Sequence, residues 1–479
     1  MKCYLCIDAG TTNLKAGLFD ETGNLLGFSG KILKTAMPKI GYCEMDMNEL
    51  WNSVCDVISD LKIRHDAHWN LIAAVGVSAQ GEGAWLLDKD NNPVRKAILW
   101  NDIRSDTIDA EYWDRAQAFC SAHHITPLCP GSYLAILHWL KRHEPDNYRR
   151  IERILYCKDW INFKLTDSLQ TDYTDSSTTA FNIFTKQYEK GIFDLLDLSE
   201  MKRALPKAYP SGRIVAATNA ATEALLGIRT GTPVAAGALD VVTVAVGLGV
   251  GTRGQKGSVL GTSLGNLVVL SEDEAKADTF TGGSVLCHVE SNTYLRQMSS
   301  LSGALVLDWC RREIADTESF QEMERLALTV LPGAEGLIFL PYLFGERAPF
   351  QAPEASAAFH GLTFHHSKAH MTRSVYESLA FVLHDCYQHM PAGSEGIQIA
   401  GGASRSDFLC QVISDMTNER VCRTRQKELG LLGMYRILSG RYEHTVEKKT
   451  EFNPNPADHE IYLRQFARFR ELRRVYLKD

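Results

Sequence analysis

The sequence predicts an α/β protein made of two domains, and three observations lead to this fold class. The chain has 479 residues, whereas single hydrophobic cores stop growing near about 250–300 residues. It opens with three short apolar strands, an amphipathic helix and another buried strand. A strand–turn–strand pattern near the start returns after the middle of the chain. We therefore place one domain at residues 1–249 and a second at 250–479.

The N-terminal elements follow from hydrophobic spacing. Short apolar runs bounded by turn residues predict strands, and a wider apolar spacing of three and four residues predicts a helix. A continuous β-branched run is typical of a strand that is covered on both faces. In order, these are strands at 3–8, 14–19 and 25–29, a helix at 47–61 and a strand at 71–77.

The remaining elements are assigned in the same way. Residues 105–205 are predicted mostly helical, and 134–140 and 151–165 are the clearest helices. The repeated strand–turn–strand pattern is at 258–270 and matches residues 4–19. The other predicted strands are 234–240, 335–341 and 397–401, and the other helices are 371–388, 406–417 and 460–477.

Charge and hydropathy exclude several classes of function. The net charge is -7, so the chain lacks the basic footprint expected of a nucleic-acid-binding protein. It has no apolar run of about 20 residues, the length that spans a bilayer. Asp8 interrupts the N-terminal apolar run too early for a signal-peptide core. These features predict a cytoplasmic protein with neither nucleic-acid nor membrane partners.

The twelve cysteines are too sparse for a disulfide scaffold. Cys3 and Cys6 form a C-x-x-C pattern, but they lie in a predicted strand. Residues three apart in a strand face opposite sides. We therefore interpret both thiols as small buried hydrophobic groups rather than as a metal or redox pair.

Three strand-to-turn junctions have the composition of phosphate sites: Asp8–Asn13, Leu260–Gly265 and Ala400–Asp407. Glycine lets backbone amides approach an anion closely, and small hydroxyl residues add donors. Lys15 follows the first junction, and the third opens a helix whose N-terminus favours an anion. Any one of them is explained as well by a plain tight turn. Together, and with two of them in matching halves, they favour phosphate binding.

Two common nucleotide-binding motifs, the dinucleotide fingerprint and the P-loop, are excluded by the sequence. Gly249–Gly254 spells G-x-G-x-x-G, but a strand follows it rather than a helix, so it does not fit a dinucleotide site. The sequence also lacks a P-loop motif. Asp8 ends its strand at the first phosphate turn, a position that suits a carboxylate holding Mg²⁺ through water.

Asp240 is the candidate catalytic carboxylate. It ends an apolar strand and is followed by a helix-like run, which places it at the crevice of an α/β domain. A hydroxyl that attacks phosphorus needs a nearby proton acceptor. The alternative is a helix N-cap, a role that aspartate also fills. The context favours the catalytic role.

Taken in order, these segments resemble the FGGY carbohydrate kinases over nearly the whole chain. The opening signature is matched by residues 5–20 and the substrate segments by 76–81 and 98–104. The aspartate run is matched by 230–240, and the second phosphate turn by Gly261-Thr262-Ser263. The last two matching segments are 339–349 and the adenosine motif at 401–415.

The resemblance implies two ribonuclease-H-like domains, as in actin and hexokinase, with a cleft between them that closes on ATP, Mg²⁺ and a sugar. Asp240 would be the general base and Asp8 the magnesium residue. Substrate contacts would come from Gln80, Gly81, Glu82, Trp100, Asn101 and Asp102. Nucleotide contacts would come from the phosphate turns and their neighbours: Thr11, Thr12, Asn13, Lys15, Gly261, Thr262, Ser263, Gly401, Gly402 and Ser404. At family level a homodimer is also expected.

The Gly81-Glu82 pair departs from the family pattern. Glycerol kinases of the family carry Arg-Glu after the glutamine, and L-xylulose kinases carry lysine where Glu82 stands. The missing arginine argues against glycerol, and an acidic residue disfavours an anionic sugar acid by like-charge repulsion. The predicted substrate is a neutral ketose or polyol, above all a pentulose such as xylulose. The segment 428–433 matches the family only loosely.

Two other functions stay open from sequence: an actin-like ATPase without a sugar, and a catalytically inactive sugar- or nucleotide-binding homologue. A polar pocket at 80–82 and 100–102 has no purpose in the first. Retention of Asp8, Thr12 and Asp240 argues against the second. Glu82 itself either binds a hydroxyl or is simply solvated. The hydroxyl-rich segment 171–178 matches a family segment, and loop packing explains it equally well.

Overall fold

Short strands alternate with helices through the first half of the chain. The computed structural model describes residues 2–279, 282–391, 393, 396–442 and 450–477. The strands are β1 (Cys3–Ala9), β2 (Asn13–Asp20), β3 (Leu25–Ile32), β4 (Glu44–Met45), β5 (Ile72–Ala79), β6 (Trp85–Leu87), β7 (Ala97–Ile98), β8 (Arg153–Leu155), β9 (Gln170–Asp172), β10 (Phe181–Asn182), β11 (Gln187–Tyr188), β12 (Lys207–Tyr209), β13 (Ile214–Ala217), β14 (Pro233–Ala235) and β15 (Ala238–Leu239). The helices are α1 (Met47–Arg64), α2 (Asp66–Trp69), α3 (Ala110–Ala122), α4 (Tyr133–His143), α5 (Pro145–Arg149), α6 (Cys157–Thr166), α7 (Tyr173–Ser176), α8 (Gly191–Leu195), α9 (Ala220–Leu226) and α10 (Asp240–Leu248), with 3-10 turns at Arg104–Thr107 and Ser199–Ala204.

The second half has longer helices. Its strands are β16 (Lys256–Leu260), β17 (Leu264–Ser271), β18 (Ser284–Cys287), β19 (Thr293–Ser300), β20 (Ile338–Leu340), β21 (Ala358–His360), β22 (Ile397–Ala400), β23 (Val421–Arg423) and β24 (Thr450–Phe452). Its helices are α11 (Glu272–Ala277), α12 (Ala304–Glu313), α13 (Phe320–Leu328), α14 (Lys368–Gln388), α15 (Asp407–Thr417), α16 (Leu429–Ser439) and α17 (Pro456–Leu477), with 3-10 turns at Ala334–Gly336 and Ala403–Arg405. Among the described helices, none is both long and apolar enough to cross a membrane.

The chain divides into two compact units. The first comprises Met1–Gly247, Leu286–Asn292 and Glu428–Glu443, and the second comprises Leu248–Val285, Thr293–Lys427 and His444–Asp479. The main division falls after Gly247, two residues before the boundary placed from the sequence. Two short segments of the second half belong to the first unit, which the hydrophobic pattern did not indicate. One of them contains α16.

The first unit is built on a seven-stranded sheet in the order β13-β14-β5-β1-β2-β3, with β15 also paired to β5. β1, β2 and β3 are antiparallel neighbours, whereas β1, β14 and β15 run parallel to β5. Asp8 lies opposite Ser78, and Leu239 lies opposite Ala79. The carboxyl ends of β1, β5 and β15 therefore meet at one edge of this sheet, where open α/β sheets bind ligands.

The second unit is built on a sheet with the same plan, in the order β18-β19-β17-β16-β22-β23-β24. β19, β17 and β16 are antiparallel neighbours, and β22 and β23 continue parallel to β16. Three antiparallel strands followed by parallel ones thus occur in both units. This shared plan accounts for the strand–turn–strand repeat that is visible in the sequence.

β1 is buried on both faces. Cys3 belongs to a cluster with Leu5 and α1 residues such as Val54, and Cys6 belongs to another cluster with Leu431 and Met434 of α16. Both thiols are free and buried. The two cysteines therefore face opposite sides of the strand, as the residue spacing predicts.

Three predicted elements differ in detail. Residues 151–165 form strand β8 before helix α6, because Arg153–Leu155 pairs with Trp85–Leu87. The strand predicted at 234–240 is interrupted, since Gly237 has φ +85 and packs where a Cβ would lie 2.3 Å from the Val77 carbonyl oxygen. The strand predicted at 335–341 is shortened to β20 by the preceding 3-10 turn. In each case a tertiary contact or a local backbone turn overrides the hydrophobic run.

Candidate active site

Asp8 lies near the end of β1 at the shared edge of the first sheet, with Lys15 and Ser78 opposite it on the neighbouring strands. Its side chain keeps partial solvent access. Burial raises its pKa to about 6, although the Lys15 ammonium and a hydrogen bond with Ser78 oppose that rise, while Glu428 adds to it. Because burial disfavours the charged form of Asp8, a cation nearby would stabilise its carboxylate.

Asp240 is the first residue of α10 and directly follows β15. Its Oδ1 accepts a hydrogen bond from the backbone amide of Val241 at 2.6 Å. This amide belongs to the next residue, whereas a helix N-cap accepts from an amide two or three residues further on. Burial, the Asp8 carboxylate and Glu82 together raise the pKa of Asp240 to about 7, against the lowering effect of the Val241 amide. Its pKa therefore lies near neutral pH, which suits a general base.

The Ser78 hydroxyl lies 2.7 Å from the hydroxyl of Thr243. Thr243 in turn donates to the backbone carbonyl of Asp240 at 2.8 Å. These two contacts join β5 to the first turn of α10. The position of Asp240 relative to Asp8 is thus set by side chains as well as by the strand pairing.

The predicted substrate segment begins where β5 ends. Gln80 Oε1 accepts a hydrogen bond from Thr11 Oγ1 at 2.9 Å, and Thr11 Oγ1 accepts one from Trp100 Nε1 at 2.9 Å. The Trp100 side chain keeps 40% of its surface exposed. The structure therefore brings Gln80 and Trp100 together at Thr11, in the turn between β1 and β2.

Glu82 adopts the left-handed backbone conformation with φ 55, followed by Gly83 with φ 72. The Gly83 amide donates to the Gly131 carbonyl at 2.9 Å. The Cys129 thiol donates to Glu82 Oε2 at 3.3 Å. A non-glycine residue in this conformation is uncommon and marks a turn that its surroundings hold in place. Glu82 is therefore held in a defined turn and not in a freely moving loop.

Two glycines permit the close packing of this site. A Cβ on Gly81 would lie 2.1 Å from Leu239 Cδ1, and a Cβ on Gly131 would lie 1.7 Å from the Trp100 carbonyl oxygen. Any side chain at Gly131 would displace the Trp100 backbone. Glycine is therefore required at both positions for Leu239 and the Trp100 backbone to pack this closely.

Asp102, also predicted to contact substrate, is 1% exposed. Its oxygens accept from the Cys43 amide at 2.6 Å and from the Arg104 guanidinium at 2.8 and 2.9 Å. Because its carboxylate is occupied in this way, we expect Asp102 to hold the neighbouring Trp100–Asn101 turn. Asn101 itself is exposed on that turn.

The first predicted phosphate turn lies between β1 and β2. Thr12 and Asn13 are exposed there, and the Gly10 amide donates to the Asn13 carbonyl at 2.9 Å. Lys15 is ion-paired with Glu428 at 2.6 Å. Its predicted contact with a phosphate stays a prediction, and any phosphate would compete with this carboxylate.

Helix α16 begins in the segment 428–433, which resembles the nucleotide segment of the family only loosely, and none of its residues is among the predicted site residues. A Cβ on Gly430 would lie 2.2 Å from Asp8 Oδ2, and a Cβ on Gly433 would lie 1.7 Å from the Thr243 carbonyl oxygen. The first two turns of α16 thus pack their backbone against the Asp8 carboxyl group and the backbone of α10. Glycines within an apolar run are the sequence signal that points to such close approach.

The other predicted nucleotide residues lie in the second unit. β16 and β22 are parallel partners, so the turns that follow them, 261–263 and 401–404, meet at one sheet edge. Gly401 has φ +102, and a Cβ there would lie 2.4 Å from the Leu260 carbonyl oxygen. Ser404 Oγ donates to the Gly401 carbonyl at 2.8 Å. Two glycine-rich turns with exposed Thr262 and Gly402 therefore form one surface of backbone and hydroxyl groups.

The donor set of the first unit fits Mg²⁺. Among the described residues, no group of three or more His, Cys, Asp or Glu side chains could enclose a metal ion. Mg²⁺ does not need such a cage, since it keeps several waters and takes one or two carboxylates together with substrate phosphates. Asp8, whose charge raises the pKa of Asp240, provides a hard carboxylate oxygen of the kind that such a site requires.

Comparison with known proteins finds matches over both halves of the chain. The model described as "FGGY family of carbohydrate kinases, N-terminal domain" matches residues 3–247, and its C-terminal counterpart matches residues 257–438. A probable L-xylulose kinase of Pasteurella multocida is 29% identical over 485 residues, which cover 98% of each chain. An L-xylulose/3-keto-L-gulonate kinase of Escherichia coli is 28% identical over 98% of this chain and 96% of its own.

Among solved structures, a ligand-bound xylulose kinase from Lactobacillus acidophilus aligns with a TM-score of 0.91 at 26% sequence identity, over 99% of this chain and 98% of that one. The predicted two-domain fold and the predicted enzyme class are thereby confirmed. The chain belongs to the FGGY family of carbohydrate kinases.

Proposed function

We propose that this kinase transfers the γ-phosphate of ATP to a hydroxyl of a small neutral ketose, above all a pentulose such as xylulose, or of a short polyol. The observation that carries the proposal is the meeting of Asp240, Asp8, Gln80 and Glu82 at one edge of the first sheet. A proton acceptor lies there beside polar groups suited to sugar hydroxyls. The names of the relatives, which include xylulose and L-xylulose kinases, support the same substrate class.

In the proposed reaction, Asp240 accepts the proton of the attacking hydroxyl. Its pKa of about 7 leaves a large fraction ionised at neutral pH, while still allowing it to hold the proton. Gln80 and Trp100, joined through Thr11, orient the sugar. Positioning of this kind and charge neutralisation account for most of the catalysis of phosphoryl transfer.

Asp8 would hold Mg²⁺, which when bound neutralises charge on the transferring phosphate. The turns at 261–263 and 401–404 would contact the nucleotide through backbone amides and hydroxyls. Thr11, Thr12 and Asn13 would do the same from the first unit. Each of these turns is rich in glycine or in small hydroxyl residues, which lets an anion approach the backbone.

Glu82 supports a neutral substrate. Its carboxylate raises the pKa of Asp240, so its negative charge acts at the candidate base. A sugar acid would bring a second negative charge into this region and would be disfavoured. A related chain is named for both L-xylulose and 3-keto-L-gulonate, so the distinction between neutral and acidic sugars is the part of the proposal that most needs testing.

The test is a coupled ADP-release assay with Mg-ATP against both xylulose enantiomers, both ribuloses, erythritol, glycerol, gluconate and a keto-gulonate. We expect the highest kcat/KM for a neutral ketopentose or a short polyol, with the phosphorylated product confirmed by phosphorus NMR. Asp240→Asn serves as the inactive control. A sugar acid as the best substrate would overturn the substrate class and leave the kinase assignment in place.

Glu82→Gln in the same assay isolates the charge effect. We expect this variant to gain kcat/KM for gluconate or keto-gulonate relative to the neutral sugars. If the ratio between acidic and neutral sugars stays unchanged, Glu82 does not set the substrate charge. Glu111→Gln, which neutralises a side chain that is 84% exposed on α3, is the matched control.

A further inference from the structure

A fully buried charged cluster surrounds Lys158 in the first unit. Its Nζ lies 2.6 Å from Asp159 Oδ1, 3.0 Å from Asp175 Oδ2 and 3.1 Å from Asp172 Oδ1. The four side chains are 0% exposed. Burying one ammonium among three carboxylates is costly unless each group is tied into further contacts. The further contacts of these side chains therefore show which part of the first unit the cluster holds in place.

Asp172 is the member of the cluster that extends toward the candidate active site. Its Oδ2 accepts from the Thr174 amide at 2.8 Å, from Thr174 Oγ1 at 2.7 Å and from Ser211 Oγ at 2.6 Å. Its other oxygen faces Lys158. Both oxygens of Asp172 are thus engaged, which fixes this carboxylate and with it the Thr174 side chain.

The Thr174 hydroxyl has one proton, and it gives that proton to Asp172. Its lone pairs are therefore turned away from Asp172 and are free to accept. Thr174 Oγ1 accepts from the backbone amide of Leu239 at 2.9 Å. Leu239 is the last residue of β15 and directly precedes Asp240. A chain of contacts thus runs from Lys158 through Asp172 and Thr174 to the residue before the candidate base.

Helix α7, which contains Thr174 and Asp175, also borders the predicted substrate segment. A Cβ on Gly81 would meet Asp175 Oδ1 at 3.0 Å and Leu239 Cδ1 at 2.1 Å. Gly81, Leu239 and α7 therefore pack against one another at the point where β5 and β15 end. β15 has only two residues, so strand pairing alone gives it little rigidity, and the Thr174 hydroxyl supplies an additional anchor.

We propose that Thr174, oriented by Asp172 and Lys158, is a positioning residue for Asp240. It holds the Leu239 amide and so sets where the Asp240 carboxylate meets the substrate hydroxyl. This inference rests on the proposed function, in which Asp240 is the general base. Thr174 touches neither substrate nor nucleotide in this role and acts only through the end of β15.

The test compares Thr174→Val, which removes the acceptor and keeps the shape of the side chain, with Thr174→Ser, which keeps the hydroxyl. We expect Thr174→Val to lower kcat by about tenfold or more, since small misplacements of a reacting group are costly. KM for ATP and for the sugar should change little, and Thr174→Ser should restore most of the lost kcat. A general loss of structure would instead affect both variants according to their thermal stability.

A double-mutant cycle with Asp240→Asn sharpens this test. If Thr174 acts only through Asp240, then adding Thr174→Val to Asp240→Asn lowers the residual turnover no further. If the two substitutions instead lower turnover by independent factors that multiply, the inference is overturned. So would wild-type kcat in Thr174→Val, or equal losses in the valine and serine variants.

The experiments distinguish a failure of this inference from a failure of the proposed function. If Asp240→Asn retains wild-type activity, the general-base assignment fails, and the role of Thr174 fails with it. If Asp240→Asn is inactive while Thr174→Val is normal, only the present inference fails. Should Thr174→Val fold too poorly to assay, Thr174→Ala removes the same acceptor with a smaller side chain and carries the same expectation.

Discussion

Two carboxyl groups in the first unit have pKa values that burial raises toward neutral pH. Asp8 and Asp240 have only partial access to water, and burial is the main cause that raises the pKa of Asp8 to about 6 and that of Asp240 to about 7. Each group also feels other negative charges nearby. Raised carboxyl pKa values in a polar crevice are typical of functional sites.

Replacing Asp240 by asparagine keeps the size of the side chain and removes its ability to accept a proton. We expect kcat to fall by about 100-fold or more, the usual contribution of a general base. ATP affinity should stay nearly unchanged, because Asp240 is not among the residues proposed to contact the nucleotide and asparagine keeps the size of its side chain. Coupled ADP release and titration calorimetry measure the two quantities. Activity like that of the wild type would contradict the base assignment.

The pH dependence follows from the ionisation of Asp240. The base acts when it is deprotonated, so kcat/KM should fall as the pH decreases through about 7, the pKa given by the structure. Glu82→Gln removes a negative charge that raises this pKa. The acidic limb of the profile should therefore move to lower pH in that variant.

Glu111→Gln is the matched control for this pH experiment, because it neutralises a surface carboxylate on α3. Its profile should superimpose on that of the wild type. An unchanged acidic limb in Glu82→Gln would show that Glu82 does not influence the base. The comparison uses only the midpoint of the limb, so a change in substrate affinity does not affect it.

At the scale of elements, α16 is the clearest example of a helix placed by close backbone contact. It follows β23 in the sequence but packs with the first unit, against β1, Asp8 and α10. Arg436 of this helix donates to the carbonyl oxygens of Val246 and Gly247 at 2.8 and 3.2 Å. It thereby also satisfies carbonyl groups at the end of α10.

Gly430→Ala tests this packing. The added Cβ would lie 2.2 Å from Asp8 Oδ2, so Asp8 or the helix must move. We expect kcat to fall by about tenfold or more, and the Mg²⁺ concentration needed for half-maximal activity to rise. Ser439→Ala, near the other end of the helix, is the control and should stay close to wild type. Unchanged Mg²⁺ dependence in Gly430→Ala would separate α16 from the proposed magnesium site.

At the scale of the whole molecule, several buried carboxyl groups influence the pH dependence of stability. Asp8, Asp240 and Glu377 have pKa values raised mainly by burial, to about 6, 7 and 7. These three groups therefore bind more protons in the folded protein than in the unfolded chain between about pH 4 and 7. Burial lowers the pKa of His384 to about 4, so this imidazole acts in the opposite direction below about pH 6.5. The stability that the three carboxyl groups contribute is fully present below their unfolded pKa and is lost as the pH rises through the folded value.

We accordingly expect Tm, measured without added metal, to decrease as the pH rises from about 6.5 to 8, where the imidazole of His384 no longer opposes the carboxyl groups. Asp240→Asn removes one of these groups and should make that decrease shallower. Scanning calorimetry across this pH range provides the measurement, with Glu111→Gln as the control. A Tm that rises with pH over the same interval would contradict the assigned direction of the pKa shifts.

The first sheet could be predicted in outline because its strands carry strong local patterns. The three opening strands, α1 and β5 all occur in the predicted order, and the repeat near 258–270 corresponds to β16 and β17. Local patterns were less reliable at β8, where three residues pair with β6, and at Gly237. A short strand is stabilised mainly by its distant partner, which the local sequence does not contain.

The sequence by itself determined the fold class and predicted the phosphate turns and the candidate base, because hydrophobic period, glycine position and strand-ending carboxylates are local features of a chain. Only the tertiary structure decided that α16 covers Asp8, that Lys15 pairs with Glu428 and that Thr174 anchors the residue before Asp240. These contacts join residues that are 65 to more than 400 positions apart. Hydrogen bonds and backbone contacts of that kind depend on how elements pack, and packing is a property of the folded chain.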